Sequence, residues 1–246
     1  MDATRPTPGG RPVVVERAVG VGGELVLRRA GAHHEIISNG VFLMDTRDGT
    51  SERLLVDLAV AGLQAPAALA IGGLGVGFSL ARAAAHAHLT AITVVEREPA
   101  VAAWHRGPLR RCSDGALDDP RVRLEVADLL DWVAAAPGPF DALCLDVDNG
   151  PHWTVTPGNA RLYDDAGLAR LAALLTPRGA LALWSAGHAP GFADRLAARF
   201  ADVAVHPVPV PRGEPDLVYV ARRPRPPKDS GRNLSPRPTP TGHPLR

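Results

Sequence analysis

Four glycines and four carboxylates carry most of the chemistry this chain could perform. Gly72, Gly73, Gly75 and Gly77 close the apolar stretch AALAIGGLGVG at residues 67–77, and a helical pattern, FSLARAAAHAH, follows directly. A loop of this composition adopts torsions closed to other residues and lets a ligand approach the main chain. It is not the dinucleotide fingerprint, because Phe78 stands where a third glycine would open the helix to a pyrophosphate. Glu96 ends the next apolar run, TAITVVE, at a position where an acid can accept hydrogen bonds from both ribose hydroxyls. Asp128 ends RVRLEVAD, and Asp146 and Asp148 end FDALCLDVD. Glu96 and Asp128 could instead cap the helices that follow them. Asp-Val-Asp-Asn-Gly-Pro could be an ordinary turn, but two carboxylates around one valine repel each other unless a cation offsets them, which favours a site.

The elements that must position these residues read as an α/β domain. Four successive apolar strands end in glycines or acids, and in a doubly wound, mostly parallel Rossmann-like sheet those ends share one edge. Ahead of them, PVVVERAV, ELVLRRAG and HEIISNGVFLMD read as three short strands of a small N-terminal antiparallel β segment. SERLLVDLAVAGL reads as an amphipathic helix with Ser51 as its cap. AGLARLAALL is helical, ALALWSA is a fifth strand, GFADRLAARF is another helix, and VAVHPVPV with DLVYVARR forms a closing antiparallel pair. The expected organisation is a disordered segment at 1–12, the β segment at 13–48, a nucleoside-binding domain at 49–221 and a disordered tail at 222–246.

Composition sets outer limits. A chain of 246 residues can bury a substantial core. The formal charge is +1, yet residues 222–246 hold six arginines, one lysine and one aspartate, a net of +6, so the body carries −5. An acidic body suits a cationic small-molecule substrate and argues against nucleic-acid binding by the folded part. The Pro/Arg-rich tail has too few large apolar residues to repay the entropy of ordering. Cys112 and Cys144 suit free thiols, the N-terminus lacks the apolar core of a signal peptide, and no apolar run is long enough to span a bilayer, so a cytoplasmic, non-membrane protein is expected. No histidine has metal-ligand spacing, and no metal is expected. A single lysine among 27 basic residues points to a GC-rich bacterial genome.

The order IGGLGVG, VVERE, DDPRVRLEVAD, FDALCLDVDNGP and LYDDAGLARLAALLTPRGALALWSA resembles the spermidine synthase family of aminopropyltransferases, relatives of the class I S-adenosylmethionine-dependent methyltransferases. NGVFLMDTRDGTSERLL is similar to that family's entry into its nucleotide domain, and the resemblance covers roughly residues 24–186. It implies decarboxylated S-adenosylmethionine as co-substrate, with Glu96 on the ribose, Asp128 near the adenine and Asp146 near the transferred group or the acceptor amine. It also implies an aromatic near the acceptor at Tyr163, and a possible homodimer. Trp153, after the acidic turn, could stack on adenine, wall the acceptor pocket or simply pack. The chain departs from the family at four places. Gly75 stands where those synthases carry an amine-binding acid, and Leu43 and Trp184 fall near expected glutamines. Asp146 and Asp148 are two apart rather than three.

A sulfonium nucleoside transfers its alkyl group by in-line displacement, and an amine nucleophile must lose a proton. Asp146 is the first candidate to bind the ammonium and accept that proton, and Asp148 the second. The resemblance makes aminopropyl transfer from decarboxylated S-adenosylmethionine to a polyamine the leading expectation. Gly75 completes the Gly-x-Gly-x-Gly loop typical of methyltransferases, so methyl transfer from S-adenosylmethionine to an unknown acceptor stays open. A non-catalytic nucleotide-binding homologue is the third reading.

Overall fold

The computed structural model describes residues 11–154 and 156–226. The chain opens with four strands, β1 (Val13–Gly20), β2 (Gly23–Ala30), β3 (His33–Ser38) and β4 (Val41–Asp45), in an antiparallel sheet of that order. The sequence reading ran β3 and β4 together as one strand. Asn39 and Gly40 both take positive φ, 49° and 80°, and Ser38 pairs with Val41. This is a two-residue turn whose twist suits a tight hairpin, and it divides the segment.

The second sheet has seven strands: β5 (Ala67–Gly72), β6 (Leu89–Glu96), β7 (Val122–Val126), β8 (Phe140–Leu145), β9 (Leu175–Ser185), β10 (Phe200–Val208) and β11 (Asp216–Pro224). Their order is β10-β11-β9-β8-β5-β6-β7. Strands β5 to β9 run parallel, and β11 enters antiparallel between β9 and β10. Residues 222–224, expected in the tail, are the last residues of β11; Arg222 pairs with Asp202 and with Ala180 and so belongs to the sheet. The disorder expected at 1–10 and 227–246 lies outside the described residues.

Successive residues of a buried strand face opposite sides, so each strand supplies two cores. Leu69, Ile71, Ile92, Val94, Cys144 and Val218 pack on one face with α1 (Thr50–Val60), α2 (Phe78–Ala84) and α3 (Pro99–Trp104). Leu25, Leu27 and Ile36 join this core and fasten the N-terminal sheet to it. Ala70, Val95, Leu143, Leu145 and Tyr219 pack on the other face with α4 (Leu129–Ala135), α5 (Asp165–Ala173) and α6 (Phe192–Arg199). Ser51 does not cap α1. Gly49 holds that position, Asp48 Oδ1 accepts from Thr50 N and Oγ1, and Ser51 is turned inward. Both cysteines are free thiols, and no helix among the described residues is long and apolar enough to cross a membrane.

Candidate functional site

The chain runs from β5 outward through β6 and β7 and returns to β8 on the other side of β5. In such sheets the carboxyl ends of the strands at this reversal, here β5 and β8, are the usual ligand position. The strand ends are level. Gly73 N donates to Val95 O at 2.8 Å, Asp146 N to Gly72 O at 2.9 Å and Ala127 N to Glu96 O at 3.0 Å. The structure therefore brings the glycine loop, Glu96, Asp128 and Asp146 to one edge, although their side chains meet different partners there.

The loop is glycine-rich for steric reasons that the register explains. Gly73 has φ +94°, and a Cβ there would lie 2.2 Å from the Asp146 carbonyl oxygen, so β5 and β8 can close at the switch point only over a bare backbone. Gly77, φ +95°, precedes α2, and a Cβ there would lie 2.6 Å from the His105 ring. Gly72 is the buried last residue of β5, whereas Gly73 and Gly75 are half-buried. At Gly75 a Cβ would meet the Met44 Sδ of β4, so a thioether from the N-terminal sheet covers the position where the resembling family carries an acid.

Glu96 is only 8 % exposed. Its Oε2 accepts from Leu74 N at 3.0 Å and its Oε1 from Glu98 N at 2.8 Å. Burial raises its proton affinity, against these backbone donors, which lower it. The residue expected on a ribose accepts, in this structure, from the backbone of the loop and of β6's end. Asp128 caps α4, its Oδ1 accepting from Leu130 N at 2.8 Å. The capping alternative is realised for Asp128, and an analogous backbone role for Glu96.

Asp146 is placed differently. Its Oδ2 accepts from Ser79 Oγ at 2.8 Å, and Ser79 lies in the first turn of α2, 2 % exposed. Burial, opposed by the Ser79 hydrogen bond and reinforced by the charge of Asp216, pushes the Asp146 carboxyl up to about 6. Asp148, at φ +58°, accepts from Thr156 N at 2.9 Å and from Asn159 Nδ2 at 2.5 Å. These bonds fold the loop after β8 and tie both Asp148 oxygens into it. Trp153 is exposed and Tyr163 is buried. The Tyr163 hydroxyl donates to Val147 O at 3.1 Å and its ring packs edge-on against Phe192, so it braces the acidic turn from the core.

Two further acids, which the sequence reading missed, complete the Asp146 side. Glu52 on α1 and Asp216 at the start of β11 line a cavity of about 140 Å³ together with Asp48, Thr50, Ser51, Pro209, Val210 and Pro211. Ser51 Oγ donates to Asp216 Oδ2 at 2.6 Å, and Trp184 Nε1 donates to the same oxygen at 3.2 Å. Burial, then the charge of Asp146, with smaller contributions from Asp216 and Asp48, lifts the Glu52 carboxyl up to about 8. The signal available in sequence was Asp48 and Glu52 four residues apart at a helix start, which reads first as a solvated helix terminus. No group of three or more acid, histidine or cysteine side chains that could hold a metal occurs among the described residues.

Comparisons with known proteins agree with this architecture. The polyamine aminopropyltransferase of Mycobacterium tuberculosis is 31 % identical over 161 residues, 63 % of this chain and 29 % of that protein. Polyamine aminopropyltransferase 1 of Streptomyces coelicolor is 36 % identical over 80 residues, 32 % of this chain and 15 % of its own length. The chain therefore spans less than a third of the length of these curated relatives. Among solved structures, a spermidine synthase bound to the transition-state analogue AdoDATO superposes with a TM-score of 0.70 at 17 % identity, covering 86 % of this chain and 74 % of that one. Spermidine synthase from Thermotoga maritima gives 0.68 at 17 % identity over 86 % and 73 %. Human methyltransferase-like protein 13 in complex with SAH gives 0.52 at 22 % identity over 70 % and 78 %. No family model matches the chain. The chain is thus similar in sequence to polyamine aminopropyltransferases and shares their Rossmann-like fold, which methyltransferases share as well.

Proposed function

We propose that this chain is a transferase that binds a sulfonium nucleoside at the carboxyl ends of β5 and β8 and passes its alkyl group, an aminopropyl group in the leading reading, to a cationic amine. The observation that carries this reading is the placing of three acids at one edge of the sheet: Asp146 after β8, level with the glycine loop, and Glu52 and Asp216 lining the cavity where β11 begins opposite the end of β9. Carboxylates that raise one another's proton affinity are stabilised by a cation in their midst, and a protonated amine is such a cation. The amine becomes a nucleophile only after losing a proton. A carboxylate poised near neutral pH can accept it without being protonated beforehand. Asp146, level with the loop, is the proposed base, and Glu52 with Asp216 would hold the ammonium. The names of the relatives support a polyamine as acceptor and a decarboxylated donor.

The second reading, methyl transfer from S-adenosylmethionine, is favoured by one observation, the Gly75 and Met44 contact. It places an apolar thioether where the aminopropyl donor's ammonium would find an acid in the resembling family. A thermal-shift titration with each nucleoside separates the two, since the ligand bound more tightly stabilises the fold more by mass action. Larger stabilisation by decarboxylated S-adenosylmethionine, with turnover on 1,4-diaminobutane, supports the leading reading. Larger stabilisation by S-adenosylmethionine supports methyl transfer, and no stabilisation by either removes the nucleoside assignment.

A further inference from the structure

Behind the glycine loop lies a histidine that neither reading of the site uses. His105 follows α3 directly and is 1 % exposed. Its Nε2 stands 2.9 Å from Gly75 O and its Nδ1 3.1 Å from Ser113 Oγ, and Ser113 is fully buried. We infer that His105 is a positioning residue for the nucleoside loop, its imidazole holding the Gly75 carbonyl from one side while Glu96 holds the Leu74 amide from the other. The inference rests on the proposed function in one respect, that the loop contacts the donor nucleoside.

The protonation pattern follows from the partners. A carbonyl can only accept, so Nε2 carries the proton that it donates to Gly75. Burial lowers the proton affinity of the ring, against the Gly75 hydrogen bond, which raises it. The Ser113 hydroxyl lies between His105 Nδ1 at 3.1 Å and Arg110 O at 3.3 Å and shares its single proton between these two acceptors. Ser113 therefore fixes the ring plane, and the ring fixes the carbonyl. In a planar trans peptide the carbonyl of Gly75 and the amide of Val76 point in opposite directions, so holding one aims the other. Gly75 sits at φ +49°, in the left-handed region that glycine visits freely, and its peptide would otherwise be free to reorient. Contact is close at Gly77 as well, where a Cβ would lie 2.6 Å from His105 Cε1 and 2.8 Å from Ser113 Cβ. An apolar side chain of similar size could fill the space under Gly77, but it could not grip the carbonyl.

The test compares His105→Met, which keeps bulk and loses the donor, with His105→Gln, whose amide nitrogen can reach the same carbonyl. For whichever of S-adenosylmethionine or its decarboxylated form the unmodified chain binds, calorimetry should show His105→Met weakening affinity about tenfold, the loss of roughly one buried hydrogen bond. The donor KM should rise in step while kcat stays within about threefold, and His105→Gln should recover most of the loss. In the ligand-free chain, amide exchange at Leu74–Gly77 should quicken about tenfold in His105→Met with β5 unchanged. Unchanged affinity and unchanged loop exchange would overturn the inference. So would equal acceleration across β5, the mark of general destabilisation. If His105→Met does not fold, Ser113→Ala carries the same test with an expected loss of about threefold. If the unmodified chain binds neither nucleoside, the proposed function fails, and loop exchange still decides the role of His105.

Discussion

Glu96 and Asp146 stand at the ends of strands on either side of β5, both with raised proton affinity, and the structure uses them in opposite ways. Glu96 accepts from the backbone amides of Leu74 and Glu98, one on each carboxylate oxygen, and so ties the loop to the end of β6. Asp146 has one hydroxyl donor and faces further acids, Asp216 and Glu52. Under the proposed function, a cationic amine is the complement of this charge. Burial alone does not separate a structural carboxylate from a reactive one; the identity of its neighbours does.

The sharpest way to break this contrast is Asp146→Asn. Transfer at saturating donor should fall about a hundredfold or more, as for loss of a general base, with donor affinity within about threefold. A variant of undiminished rate would remove Asp146 from the chemistry. Glu96→Ala should act in the opposite register. It leaves the Leu74 and Glu98 amides without their acceptor, at a cost of about 2–4 kcal/mol in denaturant unfolding, and Glu96→Gln should recover part of it. Equal stability of Glu96→Ala and the parent would show that the loop does not depend on this clamp.

A third expectation concerns pH. Glu52 is lifted from 4.5 to about 8, so between those values the folded chain retains a proton that the unfolded chain has released. The contribution of Glu52 to stability therefore falls as pH rises through that window. Glu52→Gln should flatten the decline of Tm, and 1,4-diaminobutane should raise Tm more at pH 8.5 than at pH 6, because the ionised acids bind it better. An unaltered slope in Glu52→Gln would place the acid set outside any cation site. The smallest effect is that of Ser79→Ala. It removes the hydrogen bond that lowers the Asp146 proton affinity, so the acid limb of the rate profile should move to higher pH at a stability cost of about 1 kcal/mol.

The strands, the glycine loop and the edge shared by Glu96, Asp128 and Asp146 were legible because each follows from local pattern. Apolar runs make buried strands, glycines mark a turn without room for a Cβ, and parallel topology puts the strand ends on one side. The roles of the side chains were less legible. Tyr163, expected near the acceptor from the resemblance, is buried and bonded to Val147 O, whereas Trp153, read as a stacking, pocket-wall or packing residue after the acidic turn, is exposed. Asp148 stood second to Asp146 as a candidate base, and a left-handed φ turns it into its own loop, where Thr156 and Asn159 donate to it. Ser51 had the chemistry of a cap and instead meets Asp216, 165 residues away in the chain.

The amino-acid sequence by itself determined the doubly wound sheet and the edge at which chemistry can occur, because hydrophobic periodicity and glycine sterics act over a few residues. Only the tertiary structure decided which acids serve the backbone and which face one another. Proton affinity depends on what lies within a few ångströms in space, and Glu52, Asp146 and Asp216 come within each other's influence only once α1 has packed on the sheet and β11 has paired with β9.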